Sequence, residues 1–183
     1  MSDTQWPRYE VFKQDNPKKA HEAVGSVHAP DDELALQNAR DLFVRRPSAV
    51  SLWVVPATAI LSITREELAE NPGWLFRTGN EGEVRPFHIF TKTSQRRSMT
   101  FVRHVGQIEA TSPEHALHNA IESGEFDAAD VWVWWVVPDD EIIRSDDDDI
   151  DTLFAPALDK TYRQQSHYGF VSPRRQQRGR QEK

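Results

Sequence analysis

Residues 9–14 alternate aromatic or aliphatic side chains with polar ones, the two-residue period of a half-buried strand. A polar turn at Asn16, Pro17, Lys18 and Lys19 leads into a second strand over about residues 22–28. The period then lengthens, because Ala35, Leu36, Ala39, Leu42 and Phe43 recur at helical spacing. Asp31 stands where the cap of that helix belongs. Residues 51–57 predict a third strand, and Thr64, Arg65, Glu66 and Glu67 form a capping box that opens a short helix to about Asn71.

The same succession returns about eighty residues later. Residues 24–39 (VGSVHAPDDELALQNA) align without gaps with residues 105–120 (VGQIEATSPEHALHNA), and eight of sixteen positions are identical. Upstream, Glu10, Val11 and Phe12 stand against His88, Ile89 and Phe90. Downstream, residues 53–56 (WVVP) match 135–138. In the second copy Ser112, followed by Pro113, takes the capping role of Asp31. Ala116, Leu117, Ala120 and Ile121 carry the helical stripe, and residues 131–138 the third strand. Gly25 and Gly106, aligned inside the second strands, predict a bulge or a close backbone approach.

A unit of three strands and one helix buries only one face of a small sheet, so alone it is marginal. Two such units in one chain predict an α+β fold, two tandem ββαβ units packed as a pseudo-dimer in imitation of an isologous homodimer. The expected division is residues 1–85 for the first unit and the loop after it, 86–168 for the diverged second unit, and 169–183 for a disordered basic tail.

Charge sharpens this picture. The chain has 183 residues, with 22 Lys and Arg against 29 Asp and Glu, a net charge of −7. Residues 163–183 are basic, while residues 139–151 hold eight acids and only Arg144. An acidic body argues against general nucleic-acid binding, which needs cations to displace counterions from phosphates. With no Cys there is no disulfide framework, thiolate nucleophile or cysteine-held cluster. No signal peptide is visible, and the longest apolar run, 131–138, is too short to span a bilayer, so the expectation is a cytoplasmic protein without membrane contact.

Catalytic chemistry is hard to find. His115 and His118 share a helix face and could chelate a metal with Glu114 or Glu122, but the first copy has Leu34 and Gln37 there, so solvated histidines are the preferred reading. His88 and His104 lie on the two arms of one predicted hairpin and can face each other, though neither has an obvious carboxylate partner. No Glu-x-x-His is present, which excludes the helix-borne ligands of a di-iron site. There is also no Gly-x-Ser-x-Gly elbow, phosphate loop or dinucleotide fingerprint. Asp146, Asp147, Asp148 and Asp149 lack the spacing of a calcium loop and read as a solvated segment. The strand at 131–137 is apolar on both faces, so both must be covered, one by its own helix and the other by the first copy or by a partner. The residues alone describe a non-catalytic α+β interaction module.

Several blocks of the first copy resemble a known family: residues 6–12 (WPRYEVF), His21 with 24–29 (VGSVHA), 35–41 (ALQNARD), Arg45 with Arg46, and 51–55 (SLWVV). Residues 154–157 (FAPA), 160–163 (KTYR) and Tyr168 resemble its closing segment. The family is that of phenylacetic acid degradation B, the B subunit of the phenylacetyl-CoA epoxidase complex. The resemblance implies a non-catalytic subunit, with no cofactor of its own, that bridges a catalytic di-iron oxygenase subunit and its paired structural subunit, with the reductase as a further possible partner. The iron, flavin and CoA would then belong to other chains. Family members are typically one unit, whereas this chain carries two. Candidate partner-interface residues are Trp6, Tyr9, Trp53, Trp132, Trp134, Trp135, Tyr162 and Arg163. The alternative is a stand-alone regulatory or small-molecule-binding domain.

Overall fold

In a computed structural model of the chain the expected elements appear in order. The structure describes residues 6–44, 49–71, 73, 82–94, 101–126, 130–146, 148 and 150–155. The tail expected at 169–183, Arg45 and Arg46, Tyr162, Arg163 and most of the loop between the copies lie outside the described residues.

The first half runs β1 (Arg8–Gln14), β2 (Glu22–His28), α1 (Asp32–Phe43) and β3 (Ser51–Pro56). A 3-10 turn (Ala57–Ala59), β4 (Leu61–Thr64) and α2 (Arg65–Glu70) follow. The second half repeats the order as β5 (Arg85–Lys92), β6 (Arg103–Ala110), α3 (Pro113–Glu122) and β7 (Val133–Pro138). Next come a 3-10 turn (Asp139–Glu141), the two-residue β8 (Ile143–Arg144) and a single π turn (Ile150–Phe154). The caps form as expected. Asp31 accepts from the Leu34 N–H at 2.8 Å, Ser112 accepts from His115 at 3.1 Å, and Thr64 and Glu67 bond reciprocally. Each such cap contributes about 1 kcal/mol.

β4 and β8 were not anticipated, and they organise the molecule. All eight strands form one antiparallel sheet in the order β4-β7-β5-β6-β2-β1-β3-β8. β4 follows β3 in the chain but pairs with β7, and β8 follows β7 but pairs with β3. The edge strands are thus exchanged between the halves.

The registers recur at the offsets seen in the sequence. Phe12 opposes Trp53 on β3 as Phe90 opposes Trp135 on β7. Ser62 opposes Trp135 as Arg144 opposes Trp53. Both hairpins also bulge at the same place, between Val11 and Phe12 and between Ile89 and Phe90.

The expected close approaches explain the paired glycines. A Cβ on Gly25, which has a φ of +146°, would lie 2.8 Å from the Phe43 ring, and one on Gly106 would lie 2.8 Å from Phe126.

Three apolar clusters fill the fold. The first packs Val11, Leu52 and Val54 of the sheet under Ala35 and Ala39 of α1. The second packs Phe87, Ile89, Trp134 and Val136 under Ala116, Leu117 and Ala120 of α3. The third lies on the opposite face, where Phe12, Val55, Phe90, Trp135 and Val137 meet. Phe12 and Phe90 are on strands with two others between them, which in a flat sheet would be about 14 Å apart. Their ring centroids lie at 4.4 Å, so the sheet is rolled until its inner face closes on itself. This is why β7 is apolar on both sides. Besides the exchanged edge strands, the halves join in mid-sheet only briefly, where β2 meets β6 through the Glu22–Arg103 pair and the bonds Ala23 N–H to Val102 and His104 N–H to His21.

Candidate functional site

The rolled sheet leaves two seams where inward-facing side chains of opposite halves meet. One of them is polar. His88 on β5 and His104 on β6 face each other with Nδ1 and Nε2 at 2.9 Å, as expected for the two arms of the hairpin. The expectation that neither has a carboxylate partner is corrected, because His88 Nε2 lies 2.7 Å from Asp139 Oδ1. Asp139 sits in the turn after β7, folded back over β5, and sequence distance hid it.

The same oxygen accepts from Arg144 at 2.6 Å, and the Arg144 guanidinium lies 5.3 Å from the Trp53 ring centroid. His21 stacks on the other part of this cluster, 3.6 Å from Trp53 between centroids, and its Nε2 is 3.0 Å from the Ser51 hydroxyl.

The electrostatics follow from burial. Burial pushes His21 down to about 3 and His104 down to about 4, with neighbouring histidines and Arg144 adding to both effects. Burial also lowers His88, against the pull of Asp139. Asp139 is lowered chiefly by the hydrogen bond from His88 and then by Arg144. With the rings neutral, a carboxylate that only accepts sets the protons. His88 donates from Nε2 to Asp139, which leaves its Nδ1 as an acceptor 2.9 Å from His104 Nε2. This cluster can hold the halves in one arrangement, and its hydrogen-bonding capacity is turned inward.

The second seam, between β1 and β4 with β7, is different. It contains a cavity of about 260 Å3 lined by Arg8 and Glu10, by Ser62 and by Trp135, among others. Glu10 is buried, and burial raises its carboxyl despite the Arg8 Nε at 3.2 Å.

The candidate interface residues are scattered through the fold. Trp6 is 56% exposed. Tyr9 is buried and donates to Asp32 at 2.9 Å, with burial pushing its hydroxyl up to about 12. Trp53 belongs to the histidine cluster, Trp134 to the core under α3, and Trp135 to the central cluster. Trp132 packs at the margin of that cluster under the Arg65 guanidinium, 5.7 Å away. Tyr162 and Arg163 lie outside the described residues. The helix pair does not converge on a third ligand. His115 faces Thr111 at 3.0 Å and His118 pairs with Glu122 at 3.3 Å. Among the described residues no group of three or more His, Asp or Glu is placed to hold a metal. None of the described helices is long and apolar enough to cross a membrane.

The residues missed in the sequence were His21, Asp139 and Arg144. The matching Trp-x-x-Pro blocks and the alternation of residues 61–64 (LSIT) were the available signals for the exchanged strands.

Comparison with known proteins decides the relationship. The sequence model of the phenylacetic acid degradation B family matches residues 5–78 and again residues 83–175. The chain belongs to this family. The B subunit of 1,2-phenylacetyl-CoA epoxidase from Escherichia coli (strain K12) is 46% identical over 70 residues, which is 38% of this chain and 74% of that protein. No solved structure matches the chain. Membership of the phenylacetic acid degradation B family ties the protein to phenylacetate breakdown, and the two matched segments fall on the two halves of the rolled sheet.

Proposed function

We propose that this chain is a non-catalytic bridging subunit of a phenylacetyl-CoA-epoxidising oxygenase complex, supplying two B-type units in one polypeptide. The double family match carries this reading. Matching registers, matching bulges and the reciprocal exchange of β4 and β8 support a pseudo-dimer with units at about 1–85 and 86–168. Its partners are the catalytic di-iron subunit and its paired structural subunit, and the reductase is a further candidate. Iron and flavin chemistry fall to those chains. Of the described candidate interface residues, Trp6 offers the most apolar surface to a partner, since 56% of it is exposed.

Co-expression of the tagged full chain with candidate di-iron subunits tests this reading. Joint elution is expected, and sedimentation should give one chain bridging each pair of catalytic heterodimers. A chain that elutes alone refutes bridging. Two chains per pair of heterodimers refute the fused-unit stoichiometry.

A further inference from the structure

The two seams share their registers but not their contents. In the filled seam stand His88, Trp53, Arg144 and Asp139. At the offsets of 78 and 82, the open seam has Glu10, Trp135, Ser62 and Ala57, and these four line the cavity of about 260 Å3. The filled seam therefore shows what such a space accommodates. Arg144 lays its guanidinium over Trp53 at 5.3 Å and bonds Asp139 at 2.6 Å. In the open seam the ring remains and Glu10 brings a carboxyl in the place of His88, while Arg144 is replaced by Ser62 and Asp139 by Ala57.

Glu10 is 4% exposed, and among the described residues its ion-pair partner is Arg8, whose side chain is 57% exposed and solvent-screened. Asp139 carries two donors on one oxygen, so a carboxylate beside one cation has capacity for a second.

We propose that this cavity receives the arginine side chain of a partner protein, its guanidinium laid on Trp135 and its N–H donors on Glu10. Arginine fits better than lysine because its planar fork pairs with carboxylates while stacking on an aromatic face. An acidic chain, with a net charge of −7, favours a basic partner. The partner's identity rests on the bridging reading, but recognition of the guanidinium does not.

The test uses the full chain with 15N-labelled tryptophan, the Trp135 indole signal being assigned with Trp135→Phe. The probe is N-acetyl-arginine methylamide, compared with its lysine and citrulline counterparts. The arginine probe should shift the Trp135 indole signal saturably, with the lysine and citrulline probes about tenfold weaker or worse. Ser62→Arg plants a guanidinium opposite Trp135, as Arg144 stands opposite Trp53, and should cut probe binding at least about tenfold while the melting temperature holds. Glu10→Gln provides a second variant of nearly the same shape, with the same loss expected. Equal shifts from arginine and citrulline, or no saturable shift, overturn the proposal. Probe binding combined with undiminished partner capture by Ser62→Arg overturns the assignment to a partner's side chain. Failure of co-purification with wild-type chain removes the bridging reading while leaving the probe titration to decide guanidinium recognition.

Discussion

Phe12→Ala tests whether the rolled sheet is held by its inner face. Phe12 is fully buried, 4.4 Å from Phe90 and 6.1 Å from Trp135 between ring centroids. Removing a buried phenylalanine side chain costs about 3–5 kcal/mol through lost transfer energy and the cavity left behind. Two aromatic contacts of about 0.5–1.5 kcal/mol each place this position near the upper end. With a urea m value of about 2–3 kcal/mol/M for a chain of this size, the unfolding midpoint should fall by about 1.5–2 M. Circular dichroism and tryptophan fluorescence should report one coincident transition, since the exchanged strands make the halves interdependent. The double-mutant cycle with Phe90→Ala should show coupling of about 0.5–3 kcal/mol. A loss below about 1 kcal/mol, or strict additivity with Phe90→Ala, refutes the closure of the sheet through these rings.

Three further outcomes follow from the packing and the buried charges. Gly25→Ala should destabilise more than Gly106→Ala in thermal melts. Both would place a Cβ 2.8 Å from a phenylalanine ring, but Gly25 alone of the two has a left-handed φ. Equal losses would show that the ring contact outweighs the backbone. The histidine seam makes stability depend on pH. The folded values of His21 and His104, about 3 and about 4, lie below the ordinary 6.5, so the unfolded chain takes up protons first as pH falls. The contribution of the two rings is full above pH 6.5 and declines between there and about pH 3, with His104 accounting for roughly 3 kcal/mol of it by about pH 4. His104→Gln should flatten the melting temperature profile over that window, and an unchanged slope would contradict the assignment. Thr64→Ala should cost about 1 kcal/mol by breaking the α2 capping box, read as a lower urea midpoint.

Much of the local structure was legible in the sequence. Asp31, Ser112 and Thr64 are short polar side chains whose capping bonds reach only three residues ahead, so their function is written beside them. Gly25 and Gly106 were legible because a missing Cβ at matched strand positions has few uses. The polar seam was not. The partner of His88 lies 51 residues away in a segment whose eight acids suggested solvent. β8 was too short to show any period, and the two residues of its pairing gain meaning only against β3.

By itself, then, the sequence determined the repeated unit, its order of strands and helix, and the family to which it belongs. Each depends on local periodicity or on identity at a constant offset. Only the tertiary structure decided that the halves exchange edge strands, that the sheet rolls until Phe12 meets Phe90, and that one seam is filled while its counterpart stays open. Those choices depend on contacts between residues far apart in the chain, where burial must be satisfied jointly by both halves and no local pattern records the partner.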